Sequence, residues 1–281
     1  MTTRRDLIRA ALPLATLPLV PLTACASLAA GGPAADPLLR LVTFNIWHNM
    51  GDWAAREPLL VAALRAADAD VIGLQEVLED ANVGLPNQAH TLAAAISTPD
   101  RPYQVRFVST DAEGAPRRYG NAILTRLPIV EDASRKLEPL DDYRTALRVR
   151  VQAHGRLVDI VDTHLAWQQD AQAVRARQIA DLLSWLPQDG TPLVVMGDFN
   201  AQQSDAGLAT LTGVRFFSAL PSGSTDTTLN PAKGHPNRVI DHIFAEREAF
   251  APVSAARIGD VPTGGEYPSD HFGVQATIRL R

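Results

Sequence analysis

Six short apolar runs in this 281-residue chain are each bordered by side chains that can hold a metal ion, move a proton or grip an anion, five at the run's end and one at its start. Leu41-Val42-Thr43-Phe44 runs into Asn45, Val71-Ile72-Gly73-Leu74 into Gln75-Glu76, and Asp159-Ile160-Val161 into Asp162-Thr163-His164. Leu193-Val194-Val195-Met196 runs into Gly197-Asp198-Phe199-Asn200, Arg238-Val239-Ile240 into Asp241-His242, and Ser269-Asp270-His271 precedes the last apolar run. Taken singly, each is ordinary, because Asp and Asn are turn formers and a lone His is usually a surface or satisfied core residue. Six together are not, since strand ends of a sheet pair can converge on one rim. Asp198 and Asn200, two residues apart, point to the same side of an extended chain and can act on one substrate group. Glu76, Asp270 and Asn45 offer hard oxygen donors, with no cysteine and no closely spaced His pair. That set suits Mg²⁺ or Mn²⁺ and disfavours structural zinc.

The elements that must position these residues are legible from pattern. Strands are expected at Leu39–Phe44, Val71–Leu74, Tyr103–Val108, Ala122–Leu124, Ala146–Val151, Leu157–Val161, Leu193–Met196, Val239–Phe244 and Val274–Leu280, all short apolar runs with polar or turn residues at their ends. Helical spacing marks Asp170–Leu186, where Ile179, Leu182, Leu183 and Leu186 form one stripe, and Trp53–Ala67 and Gln88–Ile96 are Ala-rich helices. Strands outnumber helices too heavily for strict βαβ alternation. The expected class is therefore α/β in the form of two packed mixed sheets flanked by helices. No linker or repeat divides the chain after Pro37, so one domain, 38–281, is expected.

Thr43-Phe44-Asn45, Gly73-Leu74-Gln75-Glu76, Thr163-His164-Leu165, Gly197-Asp198-Phe199-Asn200, Ile240-Asp241-His242 and Ser269-Asp270-His271 together resemble the ordered motif set of the endonuclease/exonuclease/phosphatase superfamily. The resemblance spans about Leu38 to Leu280. It implies a four-layer α/β sandwich and metal-dependent hydrolysis of a phosphate ester, with an activated water and no covalent intermediate. Catalysis then lies in positioning water and stabilising charge on phosphate oxygens. By this resemblance Glu76 is the principal metal ligand, with Asn45 and Asp270 beside it, and Mg²⁺ (or Mn²⁺) is the cofactor. Asp198 orients or deprotonates the water, helped by Asn200, whose amide can also hold a phosphate oxygen. His164 and His271 donate to phosphate, and Asp241 holds one of these two histidines by its ring N–H. Which histidine that is, and which carboxylate is the base, stay open. Arg144 resembles the family arginine that contacts phosphate, Asn45 is a second phosphate contact, and Asn121 in Tyr119-Gly120-Asn121-Ala122 is a scaffold residue.

The resemblance leaves the substrate unnamed: a nucleic acid, a phospholipid headgroup or a small phosphodiester. The segment Ile240-Asp241-His242 departs from inositol phosphatases, which carry Trp-Cys-Asp-Arg there. For DNA the candidate contacts are Arg117-Arg118 and Arg144, Arg148 and Arg150, the last three expected on one strand face. A broad basic field is absent, because 26 basic residues face 31 acidic ones and the net charge is −5. An exported binding or scaffolding protein that has lost catalysis is the alternative, against which the complete set of site residues counts.

The N-terminus reads as an address. Arg4, Arg5 and Arg9 precede a stretch from Ala10 to Ala35 without a charge, broken by Pro13, Pro18 and Pro21, which argue against a spanning helix. Thr3-Arg4-Arg5-Asp6-Leu7-Ile8 resembles a twin-arginine export signal. Leu22-Thr23-Ala24-Cys25 resembles a bacterial lipobox, with Cys25, the only cysteine, as the lipid attachment point. Residues 1–24 are accordingly expected to be a signal peptide, and 25–37 a flexible tether. The product is expected to be an exported monomer held in the cell envelope through its N-terminal lipid; cleavage at Leu28-Ala29-Ala30 would instead make it a secreted soluble protein.

Overall fold

A computed structural model describes residues 37–220 and 226–281. The signal peptide, the twin-arginine pair, Cys25 and the tether up to residue 36 lie outside the described residues.

The chain runs β1 (Leu38–Asn45), α1 (Trp53–Ala67), β2 (Val71–Asp80), α2 (Gln88–Ile96), β3 (Gln104–Ser109), β4 (Arg117–Thr125), β5 (Ile129–Lys136), β6 (Thr145–Ala153) and β7 (Arg156–His164). It continues with α3 (Gln172–Trp185), β8 (Leu193–Asp198), α4 (Ala209–Thr212), β9 (Phe216–Ser218), β10 (Asp241–Glu246), β11 (Phe250–Ile258) and β12 (Gly273–Leu280). Two six-stranded sheets result, in the orders β11-β12-β1-β2-β4-β3 and β5-β6-β7-β8-β10-β9. Each holds one parallel pair, β1/β2 and β7/β8, bridged by α1 and α3 respectively; the other pairs are antiparallel.

Four layers follow from three apolar clusters. Leu41, Ile123, Val149, Ile160, Met196 and Ile278 fill the space between the sheets. Leu60, Leu64 and Leu92 seat α1 and α2 on the first sheet, and Ile179, Leu182 and Leu186 seat α3 on the second. Every core strand carries apolar residues on both faces because each sheet is covered twice, which is why the runs look continuous rather than alternating.

The expected helices Trp53–Ala67 and Gln88–Ile96 match to the residue, and the third is trimmed at both ends. Asp52 accepts from the Ala55 N–H and Asn87 from those of Ala89 and His90, so both starts are set by side-chain caps. Three strands had no expectation: β5, β9 and β11. All three are sheet edges. An edge strand needs no continuous apolar run: β5 is mostly exposed and carries Glu131, Asp132, Arg135 and Lys136, and β11 carries Pro252 at a register shift.

The arginines weighed for DNA are corrected. Arg148 and Arg150 do share a face of β6, but both bond Asp159, with Arg148 also on Glu131 and Arg150 on Asp189. Arg118 pairs with Glu79 and Arg117 with Asp80. Arg144 lies before β6 and joins the site instead.

Candidate active site

Strand register assembles the centre of the site. In the parallel pair β7/β8, His164 sits opposite Asp198; in the antiparallel pair β8/β10, Asp198 sits opposite Asp241. Three strand-end residues thus stand in one row across three adjacent strands. His164 Nε2 lies 3.4 Å from Asp198 Oδ2. His271, two residues before β12, places Nδ1 3.0 Å from Asp241 Oδ2 and Nε2 3.8 Å from Asp198 Oδ2. The histidine held by Asp241 is therefore His271.

The close approach of β7 to β8 depends on Gly197, whose φ is +148°; a Cβ there would stand 1.9 Å from the Thr163 carbonyl oxygen. Across the sandwich, Asn45 ends β1 and donates from Nδ2 to Asp198 Oδ2 at 3.0 Å. The Asn200 N–H donates to Asp198 Oδ1 at 2.9 Å, so both oxygens of Asp198 are fixed. Asn200 itself departs from expectation: its side-chain amide donates to the Leu165 carbonyl at 3.1 Å and anchors the loop after β7.

Glu76 reaches the rim through a bulge. The β2/β4 register shifts between Leu74 and Val77, and Glu76 takes a left-handed φ of 61°. A non-glycine residue there costs about 1–3 kcal/mol, and such strain concentrates at functional sites. Beneath it, Gln75 Nε2 donates to Thr43 Oγ1 (3.0 Å) and to Asp162 Oδ1 (2.6 Å), tying the two sheets together. The Tyr119 ring lines the same cleft as Glu76, and burial, then the Glu76 charge, pushes its hydroxyl's pKa up. Around Asp270, Ser269 Oγ lies 3.3 Å from Oδ1 and His235 Nε2 lies 3.0 Å from Oδ2. Ser269 Oγ also donates to the Asn45 carbonyl, which fixes the last strand's start against β1.

A buried arginine fixes the loop after β1. Arg56 of α1 donates from Nη1 to the carbonyls of Ile46 and Pro268, from Nη2 to those of Trp47 and His48, and from Nε to that of Met50. Trp47 and His48 both have positive φ, and this fork holds them there.

Electrostatics separates the two histidines. Burial, with Arg144 nearby, lowers the His164 pKa to about 3, so its ring is neutral at neutral pH. Burial also opposes charge on His271, but the carboxylates of Asp241, Asp198 and Asp270 outweigh it and hold its pKa well above the usual imidazole range. Burial raises Asp241 to about 6. Burial likewise opposes charge on Asp198, yet the adjacent imidazoles and its two donors leave its pKa below the ordinary carboxylate value. The neutral form of Asp162 is strongly favoured by complete burial.

Two features bear on ligands. Among the described residues, donors of Asp198, Asp241 and His271 lie within 4.8 Å of one another and could hold a cation. Both carboxylate oxygens of Asp241 face His271 Nδ1, however, at 3.3 and 3.0 Å, so Asp241 is already engaged by the ring. Glu76 and Asp270 are the better fit for a hard cation: burial and then the Asp270 charge push the Glu76 pKa up, a repulsion that a divalent ion would relieve. Arg144 is 3 % exposed; its Nε lies 3.9 Å from Asp142 Oδ1 and makes no hydrogen bond among the described residues, which fits an anionic oxygen.

All nine expected residues therefore meet at one rim: Asn45, Glu76, Arg144, His164, Asp198, Asn200, Asp241, Asp270 and His271. Sequence reasoning missed His235 and the roles of His48, Tyr119 and Arg56. His48 Nε2 lies 3.9 Å from Glu76 Oε2. His235 sits in Gly234-His235-Pro236-Asn237, a plain turn sequence with no spacing signal.

Similar solved structures share this architecture. The human nocturnin catalytic domain with bound sulfate has TM-score 0.69 and 22 % identity, covering 89 % of this chain and 97 % of that one. D. rerio TDP2 complexed with a single-strand DNA product has TM-score 0.70 and 20 % identity, covering 87 % and 100 %. An endonuclease/exonuclease/phosphatase from Beutenbergia cavernae DSM 12333 has TM-score 0.68 and 25 % identity, covering 86 % and 72 %. No curated protein matches the sequence. Residues 42–271 match the Endonuclease/Exonuclease/phosphatase family, a span that takes in every strand-end motif above, and the chain belongs to that family.

Proposed function

We propose that this protein is a divalent-metal-dependent phosphodiesterase that attacks with water directly. The observation that carries the reading is the row His164, Asp198, Asp241 with His271 behind it, facing Glu76 and Asp270 across one rim. Asp198, with both oxygens fixed by Asn45 and Asn200, orients the water and takes its proton. His271, charged through Asp241, donates from Nε2 to a phosphate oxygen or the departing oxygen. Neutral His164 donates a second hydrogen bond, and Arg144 supplies fixed positive charge. Glu76 and Asp270, with Asn45 beside them, would hold Mg²⁺ or Mn²⁺, whose chemistry is to polarise the phosphate oxygens. The single-strand DNA product on TDP2 supports a phosphate-ester substrate for this fold.

Hydrolysis of bis(4-nitrophenyl) phosphate should require Mg²⁺ or Mn²⁺ and stop in EDTA. Asp198→Asn and Glu76→Gln should each lower kcat by roughly 10²–10⁴-fold. Full activity in either variant would sink the mechanism. Failure to hydrolyse this diester, DNA, sphingomyelin or inositol phosphates would favour an inactive binding protein. We also propose envelope anchoring through Cys25, on the sequence alone: Cys25→Ser should release the protein from the membrane fraction, and retention there would refute it.

A further inference from the structure

The turn that carries His235 is fastened to the segment that carries Asp270 and His271. Leu229 forms a β-bridge with His271, the Asn230 N–H donates to the Asp270 carbonyl at 2.9 Å, and Asn230 Nδ2 donates to the Ser269 carbonyl at 3.2 Å. Asn230 is fully buried, and its Oδ1 accepts from the Ala232 N–H, which starts one tight turn over Pro231–Lys233. Lys233 Nζ then pairs with Glu266 Oε1 at 2.6 Å, and Gly234, at a φ of +88°, lets the chain turn back. The partly exposed imidazole of His235 arrives with Nε2 3.0 Å from Asp270 Oδ2, closer than the 3.3 Å approach of Ser269 Oγ to Oδ1. The mechanism above gives this imidazole no part.

We propose that His235 is a positioning residue for the divalent cation: its Nε2–H donates to Asp270 Oδ2 and holds that carboxylate in its cation-binding orientation; this rests on the reading above that Glu76 and Asp270 hold the ion. An aspartate fixed before the ion arrives removes an ordering cost from binding, and a donor on one oxygen leaves the remaining lone pairs free for metal. Leu229, Asn230 and Lys233 already hold the turn, so the His235 bond is not needed to fold it and acts on Asp270. An imidazole that bound the ion directly would stand at a similar distance, about 3 Å between neighbouring positions of an octahedral ion. Two observations favour the outer role. Among the described residues, the donor atoms of Glu76, Asp270 and His235 do not all come within 4.8 Å of one another. Glu76, Asp270 and Asn45 also form a hard oxygen set, which suits Mg²⁺ without a nitrogen ligand.

The test is calorimetric titration of the metal-free full chain with Mg²⁺ and, separately, with Mn²⁺. His235→Phe keeps a ring and loses the donor; it should weaken both ions by roughly 10- to 100-fold, the range for outer partners of metal ligands, while the melting temperature without metal stays within experimental error. His235→Gln, whose amide Nε2 can donate to Asp270, should recover most of that loss. Wild-type affinity in His235→Phe, or a Gln variant as weak as the Phe variant, overturns the proposal. A loss confined to Mn²⁺ also overturns it, because an imidazole ligand favours that ion, whereas a bond to Asp270 acts on both alike. Asp270→Asn separates the two readings. Metal binding that needs Asp270 and ignores His235 refutes the positioning role alone, and a wild-type chain that binds neither ion refutes the metal reading and this inference with it.

Discussion

The two sheets solve one problem with the same device and different electrostatics. Each places a strand-end loop beside the site and fixes it with a buried arginine from the following helix. In the first sheet Arg56 of α1 gives all its N–H groups to five backbone carbonyls and has no carboxylate hydrogen-bond partner among the described residues. In the second, Arg175 of α3 donates to the Ala166 and Gln168 carbonyls and to Asp205 at 3.0 Å. Gln88 and Gln178 repeat the parallel, bonding the His48 carbonyl and the Ala166 N–H respectively. Asp205 neutralises the second clasp on the spot. The first leaves its cation buried behind Glu76 and Asp270; burial lowers its pKa to about 10, and the charges of Asp270, Glu266 and Glu76 resist that fall. A carbonyl-only fork thus fixes the loop and adds positive charge where two carboxylates crowd.

The contrast can be broken most sharply at the arginines. Arg56→Met should destabilise the fold by about 3–5 kcal/mol, since five carbonyls each lose a donor, only those of Trp47 and His48 keep another, and two left-handed residues are freed. Arg175→Met should cost about 2 kcal/mol, because fewer groups lose a partner and Asp205 can turn to water. Urea unfolding measures both, and equal losses would erase the distinction.

Acid sharpens the contrast from the other side, because His164 and His242 lie in the second sheet and burial lowers their pKa values to about 3 and about 4. Both rings are neutral when folded, whereas the unfolded chain gains protons below about pH 6.5. Stability is therefore present above that value and lost as pH falls toward about 4, on the order of 3 kcal/mol for His242. His271 has the opposite sign: its raised value adds stability below about pH 6.5 that is lost as pH rises through the folded value. His242→Phe, between Phe199 and Phe244, should flatten the acid limb in denaturation at pH 7 and 4.5.

Where the sheets meet, Gly73→Ala would put a Cβ 2.4 Å from Asp162 Oδ1 and 2.9 Å from Met196 Cε. A loss of roughly 1–3 kcal/mol is expected in thermal melts. Far from the site, Asp189→Ala removes one exposed partner of Arg150, which keeps Asp159, and the melting temperature should stay within experimental error.

Legibility followed burial. The nine expected strands and three helices all exist because core strands and helix stripes must be apolar, and the site motifs stood out because a polar residue ending such a run is conspicuous. Edge strands β5 and β11 escaped because one open side relaxes that demand, and β9 because its buried Phe216-Phe217 pair is too short a run to mark a strand. His235 escaped for a different reason: it reaches Asp270 across 35 residues, from a turn with no periodicity of its own. Asn200 was placed correctly and read too simply, since only the fold brings the Leu165 carbonyl to its amide.

What the sequence by itself determined is the layered architecture, the set of strand-end side chains and the hard-oxygen character of Glu76 and Asp270, because local pattern and residue chemistry are properties of short segments. What only the tertiary structure decided is partnership. Register put Asp198 between His164 and Asp241, the last strand delivered His271 to Asp241, and burial then made one histidine neutral and the other charged. Those outcomes depend on distances between segments far apart in the chain, and a charge state inside a protein is set by what surrounds the group rather than by what the group is.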